Sequence, residues 1–475
     1  LAGQAFWNYI VLHFGKGAVN NLLYLTRINR SADAGFLYVL GAGYKRATNG
    51  MMQYYQKRYE QEQKTFATPS KNTEVAFKNR KDHRLTQVKI SPDGKRIAYA
   101  LNDIGRWRVW EQDLKTGKRR QVLRGGQRNA IQATDYNYPL LAWSPDNRRL
   151  SVIYERRDVV MLAHIETDNY KKIRRPLAPE YQRVYSIDYA SVNDLIFSAA
   201  VRGYSDLFLY RLLTNQSERL THDFWDDLDA SYAVLEGKKG VLFSSNRLND
   251  TLSTAKFDSI MPLGAFDLFW YDLETRSPEL IRLTRTPWAN ERQAVWADSA
   301  HFVYLSDESG IVNIKSGRLE PFVAFNTQVI YLKDGAEVTT LDMNNPGEWP
   351  VEKALRLYAP LDSVLPNIDS LQIDSIVGRP FLKKKSKLWN LSNYDRNTLA
   401  LHCASRTGKG VWAMRRGNKD RLHTNAWHTE SNVSPTLTRY KSLFYRALQI
   451  SPEQLSHFEP EKSVQAPPPT AQLPQ

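Results

Sequence analysis

The chain has 475 residues, 42% of them hydrophobic and 24% charged, a balance that excludes a chain disordered throughout. No apolar run reaches the roughly 18 residues that a membrane-spanning helix requires. The single cysteine, Cys403, rules out an internal disulfide framework and a multi-cysteine metal site, and the formal charge of +15 is unevenly spread.

The first nine residues, Leu1 to Tyr9, carry no initiating Met, no basic leader and no apolar signal core. They read as the middle of a domain, so a targeting signal is expected upstream. Residues 1–65 alternate short apolar faces with helix breakers, predicting helices over Phe6 to Phe14, Ala18 to Thr26 and Ala34 to Leu40, then a polar helix over Tyr44 to Gln63. Residues 66–82 read as a linker rich in Lys, Thr and Asn.

From Arg84 the texture changes to short alternating runs separated by turn residues, and these runs recur. The first copy has an entry strand, the turn Ser91-Pro92-Asp93-Gly94, strands over Arg96 to Ala100 and Arg106 to Asp113, the turn Lys115-Thr116-Gly117 and a strand over Arg119 to Leu123. Four strands in about forty residues is one blade of a β-propeller. A second copy carries Ser144-Pro145-Asp146-Asn147 followed by Arg149 to Tyr154 and Val159 to Ile165. The third and fourth copies share an acid-led strand and an Arg-Leu-Thr ending: Asp206 to Leu212 with Arg219-Leu220-Thr221, and Asp267 to Leu273 with Arg282-Leu283-Thr284. The fourth holds an insertion, Asn249 to Gly264, expected to project from the rim and contact a partner. A fifth copy runs through His301 to Ser306 and loses the pattern after Ser309-Gly310. Further strands over Phe322 to Leu332 and Glu337 to Met343 imply six or seven blades.

The fold expected is therefore mainly β: a six- or seven-bladed propeller over 83–345, a small helical segment at 1–65, remaining blade strands with an irregular basic extension over 346–458, and a Pro-rich tail at 459–475. The Ser-Pro-Asp-Gly turns, the run Phe243-Ser244-Ser245-Asn246-Arg247 and units such as Phe266 to Thr284 resemble the WD-like repeats of TolB-type bacterial propellers over residues 83–320. The first 65 residues resemble, more weakly, the helical tail of gluzincin-like peptidase domains found before such propellers in Bacteroidetes-type envelope proteins. That family's zinc motif, His-Glu-x-x-His, is absent here, so its activity is not carried over.

Candidate chemistry is sparse. Hydrolases that follow propellers need a Gly-x-Ser-x-Gly elbow; the nearest approach, Gly203-Tyr204-Ser205-Asp206, reads as a turn between strands. His402-Cys403 with His423 and His428 has donors suited to zinc but poor spacing, and reads as structural. Gly408-Lys409-Gly410 lacks the rest of a phosphate loop, and Asp226, Asp227 and Asp229 read as a solvated acidic turn. No catalytic, cofactor or metal site is assigned.

From Arg379 to Arg421 twelve Lys or Arg face two acids, Asp395 and Asp420. Self-repulsion predicts an extension that does not pack as a blade, with Lys383, Lys384, Lys385, Lys387, Trp389 and Trp412 as partner-binding residues. Other protein subunits are the favoured partners, an anionic envelope surface comes next, and nucleic acid is disfavoured because no nucleic-acid-binding signature accompanies the charge. The family resemblance implies a noncatalytic interaction scaffold of the bacterial cell envelope, periplasmic or associated with the outer membrane, within a secretion or biogenesis assembly. The alternative is the propeller portion of a zinc metallopeptidase whose motif lies upstream.

Overall fold

The computed structural model describes residues 2–77, 80, 83–252, 264–286, 288–345, 347–349, 351–404 and 406–448. The chain divides into two compact units, Leu1–Thr68 with Thr436–Gln475, and Pro69–Pro435.

The first unit holds helices Ala2–Phe14, Lys16–Asn29, Ala32–Leu40 and Tyr44–Gln63, with Arg439–Leu448 near its other end. Their apolar faces meet in a core of Phe6, Tyr9, Ile10, Leu22, Phe36, Leu40 and Met51. The Ser31 hydroxyl accepts the Ala34 N–H at 3.3 Å to start the third helix, and Gly41 ends it at φ 67°. Gly35 is required by close helix approach, since a Cβ there would lie 2.4 Å from Thr26 Oγ1.

The second unit contains, among the described residues, six antiparallel sheets. The first is Arg84–Ile90, Arg96–Asp103, Arg106–Asp113 and Arg119–Gly125; the second is Leu140–Trp143, Arg149–Arg156, Val159–Glu166 and Lys172–Pro176. The third is Arg183–Tyr189, Asp194–Val201, Tyr204–Arg211 and Gln216–Arg219; the fourth is Asp227–Leu235, Lys238–Ser245, Asp267–Asp272 and Ile281–Arg282. The fifth begins with Glu291–Trp296, His301–Ser306 and Asn313–Leu332. The sixth has Thr398–Cys403, Lys409–Arg416 and Lys419–Ala426, and its fourth strand is Glu74–Val75 from the other end of the unit. The first strands of successive sheets pack on one another, and that of the sixth packs on that of the first, closing a ring. Residues 97–101 and 150–154 occupy the same second-strand position in their sheets, as the repeat requires.

The recurring turns are built alike. Ser91 Oγ donates to Asp93 at 2.6 Å and Ser144 Oγ to Asp146 at 2.6 Å, while Gly94 and Asn147 take the left-handed position at φ 69° and 62°. The Arg-Leu-Thr endings are clasps. Arg219 pairs with the buried Asp206, and the Leu207 N–H donates to Thr221 Oγ1 at 3.0 Å. One sheet later Arg282 pairs with Asp267 at 2.5 Å and the Leu268 N–H donates to Thr284 Oγ1 at 2.8 Å. Each clasp ties the outermost strand to the third.

The expectation of an irregular basic extension is corrected. Ile373–Asn390 is one 18-residue strand paired antiparallel with Asn313–Leu332, and the two run out of the fifth sheet as a ribbon joined by Glu337–Leu341. The ribbon has its own apolar cluster of Ala324, Phe325, Leu341 and Ala354, with Phe325 stacked on Phe381 at 4.5 Å. The fifth copy loses its pattern in sequence because its outer strand arrives some fifty residues late. The insertion Asn249 to Gly264 lies outside the described residues over 253–263, as does the tail from 449.

The solvated turn expected at Asp226, Asp227 and Asp229 is likewise corrected. Arg247, with no exposed side-chain surface, donates to both oxygens of Asp227 at 2.6 and 2.7 Å and to Asp223 at 3.2 Å. Removing one member of such a set leaves buried charge without a partner, so Arg247→Ala is expected to cost about 3–5 kcal/mol, read as a lowered urea midpoint. A loss below about 1 kcal/mol would show that water reaches these carboxylates.

Candidate functional site

The innermost strand of each sheet leaves one row of N–H and C=O groups without a strand partner, and it faces the centre of the ring. These groups are met by side chains from the neighbouring sheet. Asp188 accepts the Tyr232 N–H at 3.0 Å and the Ser231 hydroxyl at 3.0 Å. Asp229 accepts the Gln293 N–H at 3.1 Å, and Gln293 Oε1 accepts the Leu401 N–H at 3.2 Å. His402 Nδ1 accepts the Ile90 N–H at 3.3 Å, and the Trp143 indole donates to the Lys89 carbonyl at 3.2 Å. The side chains reach their targets because five of the six innermost strands carry a bulge near their outset, as between Leu228 and Ser231 or Arg292 and Val295, with Asp229 and Gln293 at positive φ.

Five of these strands' polar side chains converge near the axis: Lys89, Asp188, Asp229, Arg292 and His402. Lys89 of the first sheet interacts electrostatically with Asp188 of the third and Asp229 of the fourth. Burial lowers the Lys89 ammonium below its ordinary range, with the two carboxylates opposing. Burial works against the Asp229 carboxylate, yet Arg292 Nε at 2.6 Å and the Gln293 N–H hold its pKa below the usual value. Burial and Lys89 hold His402 well below an ordinary histidine, so its imidazole is neutral and its Nδ1 is committed as an acceptor.

The lysine row is paired within the chain. Lys383 meets Glu279 at 2.9 Å and Lys384 meets Glu236, both acids of the fourth-sheet region. Lys385 meets Glu348 at 2.6 Å and Lys387 meets Glu320 at 3.8 Å, within the ribbon's own surroundings. Trp389 is half-buried, with Lys387 and Arg318 over its ring at 5.5 and 5.9 Å. Trp412 does not join this group: at 3% exposure it is a core residue, stacked on His423 at 5.5 Å and packed against Trp427. The expectation of two exposed aromatic anchors therefore fails for Trp412.

His402 and Cys403 face opposite ways, as neighbours on a strand must. His402 reaches the first sheet, whereas the Cys403 thiol lies 3.8 Å from the Ala297 carbonyl and is pushed up to about 12 by burial. His423 is hydrogen-bonded to Thr73 at 3.1 Å. Gly203 turns the hairpin between Asp194–Val201 and Tyr204–Arg211 at φ 85°, with Ser205 buried inside it. Gly408 turns another hairpin, and Gly410 lies so close beneath Trp427 that a Cβ would sit 1.9 Å from its indole nitrogen.

Sequence reasoning missed one nucleophile-like pair. Ser151 Oγ lies 2.8 Å from His164 Nδ1 and 2.6 Å from the Tyr189 hydroxyl, all buried between the second and third sheets. On the other ring nitrogen stands Arg175 at 3.5 Å, where a base would need a carboxylate. Burial and that cation bring His164 down to about 4, which makes it a poor proton acceptor near neutrality. The only signal in sequence is the cross-strand register of Ser151 and His164.

A closed ring of radially arranged antiparallel sheets defines a β-propeller. No protein-family model matches the chain, and neither does any curated protein. Among solved structures, TolB from Acinetobacter baumannii is similar at 14% identity and TM-score 0.37, covering 49% of this chain and 51% of its own. The propeller domain of the Trilobed protease from Pyrococcus furiosus is similar at 14% identity and TM-score 0.37, covering 72% and 78%. The acylaminoacyl peptidase of Pyrococcus horikoshii gives 14% and 0.37, covering 78% of this chain and 47% of that one. The chain thus spans about half the length of TolB and of that peptidase. Among the described residues no helix is long and apolar enough to cross a membrane.

At the head of the fifth sheet, Glu291 accepts hydroxyl protons from Thr286 at 2.8 Å and Ser306 at 3.0 Å on one oxygen, while its buried second oxygen has no hydrogen-bond partner. Burial raises it to about 7. A carboxyl raised on folding stabilises below its unfolded pKa and loses that contribution as pH climbs towards 7. Glu291→Gln, which mimics the protonated form, is expected to gain stability relative to the parent between pH 5 and pH 8, on the order of 3 kcal/mol, measured by denaturation at both pH values. A pH-independent difference would show that Glu291 ionises normally.

Proposed function

We propose that this chain is a noncatalytic protein-interaction scaffold of the bacterial cell envelope, periplasmic or associated with the outer membrane, whose six sheets are the six blades of a TolB-like propeller. Within a larger assembly serving secretion or envelope biogenesis, it would supply rigid surfaces for other subunits. Localisation follows from the repeat resemblance alone. The axial polar groups support a structural role, since Asp188, Asp229, Gln293 and His402 are each committed to a backbone N–H of the adjoining sheet.

The observation that carries the reading is the ribbon. Its strand Ile373–Asn390 is an edge strand with exposed apolar side chains, Ile376 at 43%, Val377 at 43% and Leu382 at 58%, beside lysines that already have acidic partners. Pro380 and the lysines discourage indiscriminate strand pairing, leaving the apolar groups as the adhesive part of the surface. Lys383, Lys384, Lys385, Lys387 and Trp389 then border this contact and set its orientation.

A photo-crosslinking residue at Ile376 or Leu382 in producing cells is expected to trap the same envelope protein from both positions. Leu213, 77% exposed in a turn of the third sheet, serves as the control. Equal trapping at Leu213, or none at the ribbon, would remove the ribbon as the docking surface.

A further inference from the structure

Where Glu74–Val75 completes the sixth sheet, the cleft between the sixth and first sheets widens into a cavity of about 730 Å³. Arg106, Arg108 and Trp110 enter it together, because alternate residues of the strand Arg106–Asp113 share a face. Lys419 and Arg421 of the sixth sheet enter from the other side. In all, six arginines and lysines line the cavity against three acids, Glu74, Asp103 and Asp420.

Those acids are already engaged. Glu74 pairs with Arg421; Asp103 pairs with Arg106 at 2.6 Å and with Arg128 at 3.4 Å. Asp420 accepts the Leu85 N–H at 2.7 Å and has Arg415 at 3.8 Å. Arg128 and Arg415 come from outside the cavity, so they draw off carboxylate charge that the lining cations would otherwise use. Among the described residues no carboxylate pairs with Arg108 or Lys419. Arg108 also stands directly opposite Arg124 on the next strand, a like-charge pair that costs stability unless an anion lies near. On the other flank of Glu74 and Arg421, a hollow of about 160 Å³ is lined by Lys71, Arg415 and Arg416.

We propose that this seam binds a small molecule carrying two or more oxyanion groups, phosphate or carboxylate. Guanidinium groups from two walls suit such a ligand, since each can hold an oxyanion through paired N–H donors. The cavity lies within the roughly 300–1,000 Å³ of small-molecule sites, more room than one phosphate fills. Arg119 covers the Trp110 ring at 4.6 Å, so recognition is by charge rather than by stacking of a ligand ring. Because the walls come from the closing strand, the sixth sheet and the first sheet, a bound anion also ties the ends of the ring together, and binding registers as thermal stabilisation.

The test is calorimetry and thermal unfolding of the full chain with pyrophosphate and, separately, citrate at low salt, against chloride at matched ionic strength. At least one is expected to bind and raise Tm above the chloride control. Arg108→Ser and Lys419→Ser are each expected to weaken Kd by about tenfold or more, the loss of one charge-assisted contact. Lys384→Ser, on the ribbon, should leave it unchanged. Pyrophosphate alone would assign a phosphate ligand and citrate alone a polycarboxylate. The proposal is overturned if neither binds, or if the Arg108 and Lys419 variants bind as the parent does. Lys419 lies exposed in a hairpin, so its variant decides the matter should Arg108→Ser fail to fold.

Discussion

The structure depends on one constraint: the innermost strand of every sheet presents backbone donors and acceptors that no further strand can meet. In water such an edge is harmless, but at the centre of a ring an unmet N–H costs about 1–3 kcal/mol. The chain answers by lending a side chain from one sheet to the next, from Asp188 to Tyr232, Asp229 to Gln293, Gln293 to Leu401 and His402 to Ile90. Each bond satisfies an amide and sets the angle of the following sheet, so ring closure and amide satisfaction are one requirement. The bulges and positive-φ residues near the start of these strands follow from it, because a regular strand would aim the carboxylate of Asp229 elsewhere.

Placing carboxylates at the centre and in the inter-sheet wedges brings a second requirement, which most of them meet with an arginine. Arg292 serves Asp229, Arg247 serves Asp223 and Asp227, and Arg219 and Arg282 serve Asp206 and Asp267. Arginine suits these places because its planar fork makes several directed bonds from one buried group. The clasps also explain why the third and fourth copies look alike in sequence: Asp, Arg and Thr recur because one hydrogen-bonded closure recurs.

Much of this fold was legible because its repeat unit carries strong local signals. Ser-Pro-Asp-Gly and Ser-Pro-Asp-Asn place an αL residue at a fixed offset, and short continuous apolar runs mark strands buried on both faces, such as Ile97 to Leu101. Of the ribbon, Phe322 to Leu332 and Glu337 to Met343 were legible as strands, though as parts of a further blade, whereas Ile373–Asn390 was not, because it is an edge strand exposed on most of its length and shows no apolar period. Nor was the closure by Glu74–Val75, two residues whose partners lie nearly 350 positions away. Of the candidate site, Lys383 to Lys387 could be found as a charge run, but their partners Glu279, Glu236 and Glu348 are scattered in sequence. Trp412 was misplaced because cationic neighbours in sequence suggest exposure, whereas on a strand those neighbours point the other way or lie beyond its end.

Net charge is consequently a poor guide to where this molecule is electrostatically open. The lysine row contributes strongly to the formal total, yet each of its four ammonium groups has a carboxylate within 4 Å. At the seam the grouping itself is hidden in sequence: Lys419 and Arg421 end the basic stretch, Arg106 and Arg108 come from the opposite end of the propeller unit, and only ring closure brings them together. There Arg128 and Arg415 reach two of the acids from beyond the cavity, and Arg108 and Lys419 stand without a carboxylate partner among the described residues, beside the two-residue strand that completes the ring. The junction of the ring is therefore where an anion meets cations without carboxylate partners and, by bridging the closing sheets, acts on stability.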